Sequence, residues 1–394
     1  LREYIQLNYP ENFNDWIESS EFVALIDLLS WLGGTLAFKT DINARESFLD
    51  TAETRQAILR LARFISYNPR RNQCAQGIVK IVEVMTDDDV YDGFNTNLSN
   101  VPVKWDNPDD PDWFERFILV LNSAYISSNQ FGVPLKSGSV ADAKTQLYRL
   151  NNIISEGNLG FTKTVSGQDM AFELVNSDFD DGGGFYEREP NANNAFHMFY
   201  RNDGNGNSSA QTGFFMLFKQ GILKSSQFNI ATPVENTIIG IPTTNVNDTD
   251  VWVQSTTDAG TVIASWSKVP AIFNENITYN NYASTVRNIF SVITLDNDQI
   301  NIRFSDGRFG AVPTGNIRVQ YRTSNGLQYQ IRPADMNRIK ITIPYYNRRG
   351  VKKNLSVTFS LQSTVSNSTP RESDSQIKAR APSVYATQNR MVSG

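Results

Sequence analysis

Ile339-Lys340-Ile341-Thr342-Ile343 and Leu355-Ser356-Val357-Thr358-Phe359-Ser360-Leu361 decide how this chain folds. Apolar and polar residues alternate strictly in both, the signature of strands with one face packed and the other polar. Moving back along the chain, the same period governs Ile300, Ile302 and Phe304, then Ile317, Val319 and Tyr321, then Leu327, Tyr329 and Ile331. Asn325-Gly326 lies between the last two of these runs and predicts a hairpin. Residues 299–362 therefore read as one antiparallel sheet interrupted by a glycine-rich turn at Asp306–Gly310.

Upstream, residues 161–298 form a second β-rich region, with strands at Phe214–Phe218, Val251–Gln254 and Phe290–Leu295. Residues 86–160 mix acidic, Asn- and Pro-rich loops with two expected helices. One runs from Pro111 to about Ser127; the other runs from Val140 to Ile154, on apolar spacings of three and four. The opening residues 1–85 read as helical. Phe22, Leu25, Leu29, Leu32 and Leu36 form the stripe of a helix–helix seam, and Gly33-Gly34 is its weak point. A second helix is expected from Asp41 or Ile42 to Tyr67, with Ile58, Leu61 and Ile65 apolar and Pro69 ending it. Ile78–Met85 then leaves the region as a strand. Both stripes suit a domain's own core, yet so small a bundle leaves room for a partner chain. Residues 363–394 are Ser- and Thr-rich and read as a linker towards a further C-terminal region. The fold class is α+β and multidomain: an N-terminal helical bundle segment followed by β-rich domains with an antiparallel sheet.

The 394 residues contain one histidine, His197, and one cysteine, Cys74. That excludes multi-histidine metal centres, cysteine-based zinc sites and an intrachain disulfide. A histidine-dependent nucleophile would have to run through His197, which sits in the apolar run Ala195–Tyr200 and reads as structural. Cys74 lies near Arg70 and Arg71, which could lower its pKa, but no base accompanies it. Asp178–Gly184 and Asp203–Asn207 resemble calcium loops without completing the template, and solvated turns are the simpler reading. Paired carboxylates need only Asp and Glu, yet nothing singles out a pair. No cofactor and no metal is expected, and the chain reads as non-enzymatic.

The formal charge is −5, with 36 basic and 41 acidic residues, which offers no global field for a polyanion. The segment Arg332–Lys353 gathers Arg332, Arg338, Lys340, Arg348, Arg349, Lys352 and Lys353, but much of it falls on the outward side of an alternating strand. A solvated face or an acidic protein partner fits it better than nucleic acid. No apolar stretch is long enough to span a bilayer, so no membrane insertion is expected.

Two separated stretches resemble one family. The first runs Asp41-Ile42-Asn43-Ala44-Arg45-Glu46-Ser47-Phe48-Leu49-Asp50-Thr51-Ala52, continuing to Ser66-Tyr67-Asn68-Pro69. The second is Arg303-Phe304-Ser305-Asp306-Gly307-Arg308-Phe309-Gly310, with Pro313, Gly315 and Tyr321-Arg322 behind it. Together they look like the large baseplate wedge subunit of contractile-tailed, T-even-like bacteriophages, related to the J-like baseplate proteins. Ser305 departs from the glycine that J-like relatives often carry. The resemblance implies a virion protein, assembled in the host cytoplasm, that pairs with a second copy of itself and other baseplate wedge proteins. Their N-terminal helices would share a bundle in a hetero-oligomer of six-fold symmetry that rearranges on sheath contraction. In the motif Asp306, Gly307, Phe309 and Gly310, both glycines are expected to take positive φ so that Phe309 folds back on the sheet. The alternative is a carbohydrate-binding or adhesin module of a virion or surface protein, suggested by the Asn-rich β region.

Overall fold

A computed structural model describes residues 7, 20–65, 67–126, 133–151, 153–154, 159–190, 196–270, 287–308 and 310–387. Phe309 lies outside this set, as do Ser66 and the tail beyond Thr387; Phe22 belongs to a helix, but its side chain is not described. The chain divides into two compact units, one made of Leu1–Pro69 with Glu372–Gly394 and the other of Arg70–Arg371.

The first unit is helical. Helix α1 spans Ser20–Arg45 and α2 spans Arg55–Phe64. The single helix expected from Ile42 to Tyr67 is thus two pieces. Glu46 causes the break: its carboxylate accepts the backbone N–H of Glu53 and of Thr54 at 2.9 and 3.0 Å and the Thr54 hydroxyl at 2.7 Å. Those bonds hold Glu46 below the usual carboxylate range, Thr54 contributing most. Thr54 in turn caps α2 through the Ala57 N–H. Gly33-Gly34 does not interrupt α1, and among the described residues a Cβ at either position would meet nothing within 4 Å.

Residues 363–394 are not all linker, because Asp374–Thr387 forms a helix. Among the described helices it follows α3 at Trp113–Ser123, and we call it α4. Ile377 and Ala381 of α4 close a small core with Ala52, Ala57, Ile58, Leu59 and Ala62. Arg55 bonds Asp374 at 2.6 Å, and the Tyr67 hydroxyl donates to Glu372, which also pairs with Arg380.

The second unit is β-rich. Its strands, in order, are β1 (Gln76–Thr86), β2 (Val103–Lys104), β3 (Lys136–Val140), β4 (Ala143–Leu150), β5 (Leu159–Val165), β6 (Gln168–Leu174) and β7 (Ser177–Phe179). There follow β8 (Phe185–Glu187), β9 (Phe196–Asn202), β10 (Gly213–Gln220), β11 (Ile222–Ile230), β12 (Ile238–Ile241) and β13 (Val246–Thr256). The last are β14 (Val262–Lys268), β15 (Ile289–Thr294), β16 (Ile300–Phe304), β17 (Gly315–Thr323), β18 (Ile339–Tyr346) and β19 (Lys352–Leu361). One sheet runs β18-β19-β1-β10-β9-β4-β3, with β2 on β1, β6 on β10 and β5 on β6; the other runs β11-β17-β13-β14-β15-β16-β12. Only the β14–β15 pairing is parallel among the described strands.

Three expectations are corrected here. The helix expected at Val140–Ile154 is the β3–β4 hairpin, turning through Ala141 and Asp142, both at positive φ as a type I′ turn requires. Leu147 packs into the core on one face of this sheet, and Tyr148 and Leu150 into the core on the other. A strand whose packed face changes along its length, with Lys144 and Arg149 left exposed, loses its alternation, and the residual spacing imitates a helix. Second, the strands of 299–362 do not form one sheet: β16 and β17 join the seven-stranded sheet, β18 and β19 the larger one. Third, Asn325-Gly326 is no hairpin. Gly326 has positive φ, but the chain there leaves β17 for the other sheet, and Ile331 pairs only with Val365.

Gly221 marks an earlier passage between sheets, since β10 ends at Gln220 and β11 begins at Ile222. Its φ is 105°, and a Cβ there would lie 2.2 Å from the Thr323 carbonyl oxygen. Only glycine fits such a crossing.

Candidate functional site

Helix α1 is the first candidate. Leu25, Leu29, Leu32 and Leu36 are all exposed. A second stripe joins them, Leu28, Trp31, Phe38 and Ile42, also exposed, with Trp31 67% accessible. The two stripes lie roughly 100° apart around the helix. Sequence reading found the first stripe and missed the second, although the repeat 28, 31, 35, 38, 42 has the same heptad spacing. Ile58, Leu61 and Ile65 do not belong with them: Ile58 is buried in the α2–α4 core, with Leu61 and Ile65 packed against it.

In the turn that begins at Asp306, the described residues are held by hydrogen bonds. Asp306 Oδ1 accepts the Arg308 N–H at 3.0 Å, and Arg287 donates to the Gly307 and Arg308 carbonyls. Gly307 has φ 81°, as expected. Gly310 does not take positive φ; it is glycine because a Cβ would come within 2.7 Å of Ile289 Cγ1 and Ser305 Cβ. Close packing, not backbone handedness, sets that position.

Sequence reading did not anticipate a buried ionic joint across the two sheets. Arg322 on β17 bonds Glu173 of β6 at 2.5 Å and Glu187 of β8 at 2.7 Å. Lys219 on β10 bonds Asp250 of β13 at 2.6 Å and reaches Glu187 at 3.1 Å. Burial alone would push Asp250 up, but Lys219 and Arg322 outweigh it and hold its carboxyl below the ordinary value. Burial likewise opposes the charge on Arg322, and Glu187, Glu173 and Asp250 overcome it. Cys74 lies against Asp250 at 3.5 Å, where burial and that carboxylate push its thiol up, away from the reactive range. Arg71 does not lower it, because its guanidinium turns to the Val246 and Asp248 carbonyls, Thr294 and the Asp248 carboxylate.

Three carboxylates of the calcium-like loops, Asp178, Asp181 and Asp203, are engaged by the protein. Lys136 reaches Asp178 at 3.3 Å and also bonds the Phe179 carbonyl, while Asp181 accepts the Ser139 N–H at 2.6 Å. Asp203 accepts from Ser209, Thr212 and Asn205, which holds it well below the usual carboxylate range. Among the described residues no three His, Cys, Asp or Glu side chains converge as a metal would need. In the basic segment, Arg338 pairs with Glu83 and Arg348 lies over the Tyr125 ring, while Lys340, Arg349 and Lys352 face solvent.

Comparison with protein families gives two matches. Residues 77–364 match a family described as a domain of unknown function, DUF8360, and since that is more than half of the chain, the protein belongs to this family. Residues 13–64, which include all of α1 and α2, match the N-terminal domain of bacteriophage baseplate proteins. That match points to a structural protein of the phage baseplate, a virion tail component that assembles with other baseplate proteins. No curated protein matches the chain. Among the described residues, no helix is long and apolar enough to cross a membrane.

Proposed function

We propose that this protein is a non-enzymatic baseplate wedge subunit of a contractile phage tail, holding neighbouring subunits through α1 and through sheet faces. The observation that carries this reading is α1 itself. A 26-residue helix that shows apolar side chains to water on two stripes is a helix lacking its neighbours. Two stripes suit two helical partners, such as a second copy of this chain and a different wedge protein. When the sheath contracts, stiff β-rich units would change their relative placement about such bundles.

Mass photometry of the full chain, alone and co-expressed with the proteins encoded beside it, tests the reading. A complex of more than one chain is expected, and Leu32→Asp should weaken it by about a hundredfold or more. A strictly monomeric protein that ignores its co-expressed neighbours would count against a wedge role.

A further inference from the structure

Within the β-rich unit, the two sheets and the β7–β8 hairpin enclose an open polar cleft of about 650 Å³. The larger sheet contributes Arg149 of β4 and His197 of β9, which face each other as register partners. The Asn176 Oδ1 accepts a hydrogen bond from His197 Nδ1. Arg188, just after β8, also lines the cleft, and Gln254, Val262 and Ser265 come from the seven-stranded sheet.

The charges in the cleft are unequally spent. Asp178 is engaged by Lys136 at 3.3 Å and by the Phe179 N–H at 2.8 Å. Glu189 accepts from Gln254 at 2.7 Å. Arg188 keeps only a loose pairing with Asp178, at 3.8 Å. Arg149 has neither an ion pair nor a side-chain hydrogen bond among the described residues, although it is half-ringed by polar groups. The cleft therefore offers two guanidiniums with capacity to spare. Its rim carries Leu135 and Tyr186, 52% and 40% exposed. A free inorganic anion would use the arginines and leave that rim in water. Arginine, tyrosine and an aliphatic side chain at one concave spot are the composition of a protein–protein anchor point.

We propose that this cleft is a socket for an acidic segment of another baseplate protein. A carboxylate is forked between Arg149 and Arg188, and the apolar residues beside it cover Leu135 and Tyr186. The socket rests on the reading of the chain as an assembling subunit, but it is a surface separate from α1.

Photocrosslinking in intact virions distinguishes the two. The photoreactive residue p-benzoylphenylalanine is placed at Tyr186 in one virus stock and at Trp31 in another, and crosslinked peptides are identified by mass spectrometry. At Tyr186 the expected product is a peptide of another virion protein with Asp or Glu close to the crosslink. Its yield should fall by about tenfold with Arg149→Glu or Arg149→Met and less with Arg149→Lys. Crosslinks at Trp31 but only intrachain ones at Tyr186 would overturn the socket and leave the assembly reading standing. Interchain crosslinks at neither position would overturn both. A partner peptide without acidic residues, a saccharide adduct, or a yield indifferent to Arg149 would also sink the socket.

Discussion

Arg322 draws carboxylates from three different strands into one buried place, and its side chain has no exposure at all. Such a group is costly to bury and costlier to remove. Arg322→Met would leave Glu173 and Glu187 in the interior with Lys219 as the only remaining cation of the joint. We expect about 3–5 kcal/mol of lost stability, read as a lower urea midpoint. A loss below about 1 kcal/mol would mean water already reaches the site. His197 makes a second test at this scale. Burial, aided by Arg188 and Arg149, pushes it down to about 4 from its ordinary 6.5. The unfolded chain thus binds the proton more readily than the folded one. The neutral imidazole's contribution is complete above pH 6.5 and drains away as pH falls through 6.5 towards 4. On the order of 2–3 kcal/mol is at stake. His197→Gln should flatten the stability curve by that amount within this window. Parallel urea-midpoint curves for the two proteins would show that the histidine is not responsible.

Elements in this protein are decided by how many of their faces are covered. Strands with one polar face, such as β16 and β18, alternate cleanly and could be read from sequence directly. β4, packed on one face at Leu147 and on the other at Tyr148 and Leu150, could not, and its spacing passed for a helix. The apolar stripe on α1 was legible because heptad spacing stands in the sequence whatever the helix packs against. The ionic joint was illegible for the opposite reason. Glu173, Glu187, Lys219, Asp250 and Arg322 lie in five different strands with no motif spacing, and only the crossing of two sheets brings them together. The glycines divide in the same way. Gly221→Ala meets the Thr323 carbonyl in a conformation that L-residues avoid, and should cost about 3 kcal/mol or prevent folding. Gly33→Ala points into open space in a helix interior and should firm α1 by about 1 kcal/mol. Thermal melting reads the first substitution, and amide exchange along α1 reads the second.

At the scale of the whole molecule, the chain closes its helical unit with its own far end. Ile377 and Ala381 of α4 complete the core begun by Ala57, Ile58 and Ala62, more than three hundred residues earlier. Arg55 to Asp374 and Tyr67 to Glu372 fasten the same two segments with polar bonds. All of these contacts lie within the helical unit, whereas in the β-rich unit, Arg70–Arg371, strand pairing builds each sheet and the ionic joint links them. Removing residues 372–394 should therefore act on one unit alone. The apolar face of α2 would be left open to water, and a ten-residue helix is too short to persist unaided. We expect amides of Arg55–Phe64 to lose their exchange protection on this truncation, while those of β1 and β10 keep theirs. The main melting transition should stay within about 2 °C of the full chain's, since the strands that dominate it lose no partner. Equal loss of protection in β1 would show that the units fold as one, and α4 would then support the sheets as well as the helices.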